Sequence, residues 1–396
     1  LPRTVWLLVI GMAVNITGSS FLWPLNSIYI HDHLGKSLSI AGFVLMLNSF
    51  ASVIGSLIGG YLHDKIGGYR SVLLGIAITV CALIGLTLRH EWPYYVVFLG
   101  IVGLGSGIIG PAMYAMTAAA WKNGGRKAFN AIYVAQNVGV AVGSGLGGAI
   151  ASYSFDFIFL ANLCMFLLFM VIALFGYKNI SEKQSVHSNR IKASKPVYNR
   201  SHIMALTILC TAYLLAWISY VQWQATISSY TQVLHITLNQ YSLLWTLNGA
   251  IIVLGQPLLI PMLKKYLTSV KLQILVGIVI FTISFICASF ADRFSGFIAA
   301  MVILTIGEML VWPAVPTIAS QLAPSGRDGF YQGVVNSVAT AGRMIGPVVG
   351  GVLVDAFGMK MLFVVLIVLL MISFIFASLY NRPLQKSEKQ AATTRN

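Results

Sequence analysis

Gly59-Gly60-Tyr61-Leu62-His63-Asp64-Lys65-Ile66-Gly67-Gly68-Tyr69-Arg70 is a short charged turn with an apolar run on either side, residues 39–62 before it and 71–88 after it. A bilayer core about 30 Å thick takes roughly 20 helical residues, so each run is long enough to cross. Gly67 and Gly68 permit a tight reversal. Asp64 is placed to sit near helix N-termini and to pair with Arg70. The pattern predicts two membrane helices whose connecting charges stay at the surface.

The remainder of the chain repeats this arrangement. Of 396 residues, 58% are hydrophobic and 9% charged, against about 25% charged in soluble domains. The mean hydropathy is +0.83. Too little polar material is present to coat a soluble globule, and lipid is the solvent that suits it. Cutting at charges, Gly and Pro predicts spans near 5–30, 39–62, 71–88, 94–119, 128–151 and 155–177, then 203–229, 240–262, 271–289, 294–322, 328–353 and 358–380. The first run is long enough to span and no small-residue cleavage site follows it, so it is expected to remain as a helix.

The net charge of +15 raises nucleic acid as a partner. The basic residues are instead strung singly or in twos and threes between apolar runs, so no nucleic-acid binding is expected. They are also unevenly divided. One side takes Arg3, Lys65, Arg70, Lys122, Arg126, Lys127, Lys264, Lys265, Lys271, Arg327 and the tail; the other takes Lys36, Arg89, Arg293 and Lys360. The positive-inside rule then places both termini in the cytoplasm, which requires an even number of spans. Cys81, Cys164, Cys210 and Cys287 lie far apart inside apolar segments, with no metal-ligand or redox spacing. The triplet His31-Asp32-His33 has no third defined partner in its short hairpin, so no metal is expected.

Residues 179–200 are polar and basic and read as a cytoplasmic linker between two six-helix bundles, 1–178 and 201–381, with 382–396 as a cytoplasmic tail. The two halves echo each other. Leu47-Asn48 with Val53 and Gly55 matches Leu247-Asn248 with Val253 and Gly255; Pro111-Ala112 matches Pro313-Ala314. Gly139, Gly143, Gly147 and Gly148 match Gly342, Gly346, Gly350 and Gly351. These echoes fall in corresponding helices and in order.

The turn at 59–70 resembles the signature loop of the major facilitator superfamily, G-x-L-x-D-[RK]-x-G-[RK]-[RK]. The match holds at Gly60, Leu62, Asp64, Lys65, Gly67 and Arg70, while Gly68 stands where the family has its first basic residue after the glycine. The resemblance implies an all-α membrane protein, two six-helix bundles related by a pseudo-two-fold axis, with the turn acting as a conformational latch. Gly342-x-x-x-Gly346-Pro347-x-x-Gly350-Gly351 is similar to the antiporter motif of the family's drug/proton exporters, which sits in their fifth span. The fifth span here has the same glycines with Ser144 in place of the proline. Small residues four apart also serve plain helix packing. The arginine that such exporters often carry in span 4 falls near Leu99 here.

Nine of the ten acidic residues fall in loops or at helix ends, and Glu308 alone lies mid-span. A carboxylate at that depth costs on the order of 3 kcal/mol or more unless protonated or paired, which marks Glu308 as the candidate proton- or cation-coupling residue. Arg343, inside span 11, is placed to pair with Glu308, to face an anionic substrate, or to snorkel to an interface. Tyr114, Gln136, Asn137, Trp217, Tyr220, Gln222, Gln224, Asn248 and Trp312 supply the neutral polar and aromatic groups expected of a substrate cavity. The resemblance implies a secondary transporter working by alternating access, with proton-coupled efflux of hydrophobic or cationic small molecules as the leading expectation. The alternatives are a carrier of a specific, anionic metabolite or lipid held by Arg343, and a non-transporting receptor. No enzyme, no cofactor beyond the proton gradient, and a monomer in the cytoplasmic membrane complete the expectation, with lipids, protons and a small-molecule substrate as the partners.

Overall fold

A chain with no water along most of its length has to satisfy its backbone polar groups internally, which favours helices. The computed structural model describes residues 2–121, 126–181, 200–323 and 328–385, and among these every regular element is helical. Helix α1 is Arg3–Leu22, and the same span continues through the turns Trp23–Leu25, Asn26–Ile28 and Tyr29–His33. Then come α2 Leu38–Ile66, α3 Gly68–Leu88, α4 Tyr94–Ala120, α5 Arg126–Ala151 and α6 Phe155–Gly176. Helix α7 is Arg200–Tyr220, continued by Gln222–Ala225 and Ile227–Val233; α8 is Leu238–Tyr266, α9 Val270–Ser289 and α10 Phe294–Leu322. The stretch Asp328–Leu379 is broken at Gly358, whose φ of 78° is a left-handed value that suits glycine; α11 is 328–357 and α12 is 359–379. Ten stretches among the described residues are long and apolar enough to cross a bilayer. The last of them spans the Gly358 break, and α8 is a further helix of 29 residues. All twelve expected spans therefore fall on helices.

The chain divides into two compact units, Leu1–Asn189 with Gln224–Val253, and Arg190–Trp223 with Leu254–Asn396. The expected bundles meet at a linker. The compact units divide differently: the outer turns of α7 and the first half of α8 group with the first six helices. The linker from 182 to 199 and the tail from 386 lie outside the described residues.

The repeat is visible in packing within each unit. In the first, α5 lies on α1: a Cβ on Gly139 would meet Ile16, on Gly143 the Thr17 carbonyl, and on Gly147 the Phe21 backbone. In the second, α11 lies on α7 in the same way, with Gly342 on Trp217, Gly346 on Val221 and Ile218, and Gly350 on the Gln222 amide. A further echo joins Gly75 and Gly105, which seat α3 on α4, to Gly277 and Gly307, which seat α9 on α10. Lipid removes the hydrophobic drive between helices, so close backbone approach and dispersion have to hold them. Both α1 and α7 also lose regular geometry after about the same length, 20 and 21 residues.

Two departures from the family pattern acquire reasons here. Ser144, standing where the antiporter motif has proline, is fully buried and donates back to the Val140 carbonyl at 2.6 Å. A hydroxyl bonded in this way bends a helix locally without removing an amide. Gly68 is buried against Met116 and His63, and even a Cβ there would strike the Met116 side chain. A long basic side chain does not fit.

Replacing Gly346 by Val should overpack the α7–α11 contact and cost roughly 1–3 kcal/mol, read as a lower melting temperature of the purified protein. Gly60 faces open space, so Gly60→Ala should leave the melting temperature unchanged or raise it.

Candidate functional site

Tyr213, Trp217 and Tyr220 stand four and three residues apart on α7, a spacing that puts three rings on one helical face. Glu308 and Trp312 stand four apart on α10 and share a face of their own. The Tyr220 hydroxyl donates to Glu308 Oε2 at 2.9 Å. The indoles of Trp217 and Trp312 stack with centroids 4.3 Å apart and planes inclined by 4°. Tyr213 and Tyr220 meet the Trp312 ring edge-on at 5.5 and 5.3 Å, and Phe281 of α9 lies 5.4 Å from it. The mid-span carboxyl thus sits at the margin of a five-ring cluster, all within the second unit. Glu308, Trp217 and Trp312 are half-buried, and Tyr220 is buried.

Arg343 comes from α11. Its guanidinium carbon lies 4.8 Å from the Trp217 ring centroid and its Nη2 donates to Thr340 Oγ1 at 3.1 Å. The preceding residue, Gly342, is pressed on the Trp217 Cβ, and this close approach of α11 to α7 is what brings the guanidinium over the indole. A phenol hydroxyl thus engages the carboxylate, and an indole face with a hydroxyl engages the guanidinium. Arg343 remains solvent-accessible. The Trp312 indole N–H is buried with no hydrogen-bond partner among the described residues.

The other expected cavity residues have surroundings of their own. Gln222 is fully buried, and its Nε2 donates to the Ile218 carbonyl at 2.9 Å and the Gly346 carbonyl at 2.7 Å; geometrically it fastens α11 to α7. Pro347 is buried next to it. In the first unit the Tyr114 hydroxyl donates to Gln136 Oε1 at 3.1 Å, Gln136 Nε2 lies 3.8 Å from Met12 Sδ, and Asn137 Nδ2 donates to the Tyr133 carbonyl at 2.9 Å. Gln224 is half-buried and Asn248 buried. Among the described residues the buried Oδ1 atoms of Asn15 and Asn48 have no partner. Tyr213 and Phe281 belong to the aromatic cluster although the sequence reading passed over them. The spacing of Tyr213 from Trp217 and Tyr220 was the available signal; Phe281 had none.

At the 59–70 turn, Gly67 has φ of 84° and its N–H closes α2 onto the His63 carbonyl. Lys65 Nζ lies 5.5 Å from the Tyr61 ring centroid, and Arg70 is exposed. The Asp64 side chain lies outside what is described, so the expected Asp64–Arg70 pair stays an expectation.

Comparison with known proteins places this geometry. The Major Facilitator Superfamily model matches residues 8–268 and 208–395, two overlapping stretches that cover nearly the whole chain. The chain is 56% identical over 389 residues to the MFS-type transporter YttB of Bacillus subtilis, covering 98% of both proteins. It is 23% identical over 357 residues to the multidrug resistance protein MdtH of Aeromonas hydrophila, covering 88% of this chain and 87% of that one. Among solved structures it is similar to a POT family transporter crystallised with 5-aminolevulinic acid. The TM-score is 0.84 at 18% identity, over 96% of this chain and 97% of the other, a likeness of fold. With twelve long helices among the described residues, paired glycine seams and this family match over nearly its whole length, the chain is a multi-pass membrane transporter of the major facilitator superfamily.

Proposed function

We propose that this transporter exports hydrophobic, cationic small molecules in exchange for protons, with Glu308 as the coupling group. The observation that carries the proposal is the Glu308 carboxylate held by Tyr220 at the margin of the stacked Trp217–Trp312 pair. Aromatic faces attract a desolvated organic cation, worth roughly 0.5–2 kcal/mol each, and a carboxylate beside them supplies the countercharge. A proton on Glu308 removes that charge. Proton and cation then compete for one group, and a carrier couples two ligands when each binds its two states differently. The name of the distant relative MdtH, a multidrug resistance protein, favours the same substrate class.

In this reading the protein lies in the cytoplasmic membrane with both termini in the cytoplasm, acts as a monomer, and draws on the proton gradient without a cofactor. It moves its substrate unchanged, so no residue is assigned to catalysis. The turn at Gly60–Arg70 serves as the latch of the cycle.

One observation favours a second reading. Arg343 is accessible and poised on an indole face, a setting that would also suit an anionic metabolite or lipid headgroup.

Proteoliposomes carrying an imposed pH gradient and ethidium test the proposal. Wild type should move the dye with the gradient, and Glu308→Gln should lose gradient-driven flux by about tenfold or more. Full coupled flux in Glu308→Gln would remove Glu308 from the mechanism. If wild type moves no cationic dye but accumulates organic anions, and Arg343→Gln abolishes that, the second reading replaces the first.

A further inference from the structure

An indole offers a cation two faces, and on Trp217 both are taken. Trp312 covers one, with centroids 4.3 Å apart and planes inclined by 4°. A parallel ring at that distance leaves no room on its own side. The Arg343 guanidinium carbon, 4.8 Å from the same Trp217 centroid, therefore lies over the other face. Tyr213 and Tyr220 stand across the Trp217 ring at 6.2 and 5.4 Å, inclined by 82° and 75°. The face an organic cation would seek already carries a cation that belongs to the protein.

The backbone that bears this guanidinium is fixed, whereas the side chain has freedom to move. Gly342 is packed on the Trp217 Cβ and, one turn on, Gly346 on Val221, so α11 cannot draw back from α7 without undoing their seam. Arg343 Nη2 donates to Thr340 Oγ1 at 3.1 Å, a partner one turn earlier on its own helix. That bond is local to α11 and reaches no residue of α7. Arg343 is exposed, while Trp217 beneath it is half-buried. A guanidinium is planar and weakly hydrated, so it lies on the ring at little desolvation cost and leaves it by rotation of its own side chain.

We propose that Arg343 is a tethered occupant of the cation seat on Trp217, and that a transported cation binds by displacing it. The proposal rests on the cation-export reading above and assigns Arg343 a part in it. A competitor attached to the protein is present at an effective concentration on the order of millimolar. It lowers the affinity of every cation that uses the seat by one common factor. Arg343 thus sets the affinity of the site and not its chemical preference. An exporter has to release its cargo as well as bind it, and a built-in competitor keeps the site from holding cations too tightly.

Equilibrium binding of ethidium and of tetraphenylphosphonium to the purified full-length protein tests this. Arg343→Ala clears the face, and both dissociation constants should fall by the same factor, about tenfold, in the range of one cation–π contact. A side chain with only a structural role would weaken binding on removal. Removing a positive charge also favours cations at a distance, and a double-mutant cycle separates the two causes. In a Trp217→Leu background the seat is gone, and Arg343→Ala should then change either constant by less than about twofold. Trp217→Met serves the same purpose if Trp217→Leu does not fold. Unchanged or weaker binding in Arg343→Ala, or a gain just as large without Trp217, would overturn the proposal and leave the cation-export reading standing. Failure of both wild type and Arg343→Ala to bind either cation would overturn the two together.

Discussion

The absence of water along the helices is the constraint from which the other features descend. Backbone groups that cannot reach water bond within their own helix, and apolar side chains gain little by leaving lipid for each other. Helices then associate where small residues let backbones approach. Here those residues are Gly139, Gly143 and Gly147 of α5 against α1, and Gly342, Gly346 and Gly350 of α11 against α7. The second seam does more than hold two helices. It brings Arg343 over Trp217 and lets the Gln222 amide bridge to the Gly346 carbonyl. The packing seam and the candidate site are one piece of structure.

The same constraint explains how charge is handled at membrane depth. Isolated charge is costly there, and both mid-span charges have partners that are themselves mostly apolar. Tyr220 gives Glu308 a hydroxyl from an aromatic body, and Trp217 gives Arg343 a ring face. In the first unit, His90 Nε2 lies 3.0 Å from Asp156 Oδ1 beside a cavity open to water, where desolvation of a polar group is less severe.

The spans were legible because hydropathy reports the solvent directly, and the glycine echoes marked close helix packing without naming which helices meet. Glu308 was legible by its isolation. Direction was not. Gln222 looks in sequence like any polar residue of a cavity, yet its side chain turns into the α7–α11 seam. The partners of Arg343 depended on how closely α11 approaches α7. His90 lies in the α3–α4 connection and Asp156 in the first turn of α6, and nothing in one sequence couples two such positions. The irregular turns after Leu22 and Tyr220 have a proline signal in the first case, Pro24, and none in the second.

The central claim is that one carboxyl serves proton and cation in turn, and proton release on ligand binding measures it most directly. Purified protein in weakly buffered detergent solution would be titrated with ethidium while a pH indicator follows the bulk. The account predicts about one proton released per ethidium bound by wild type and none by Glu308→Gln. Equal release by both proteins would contradict it.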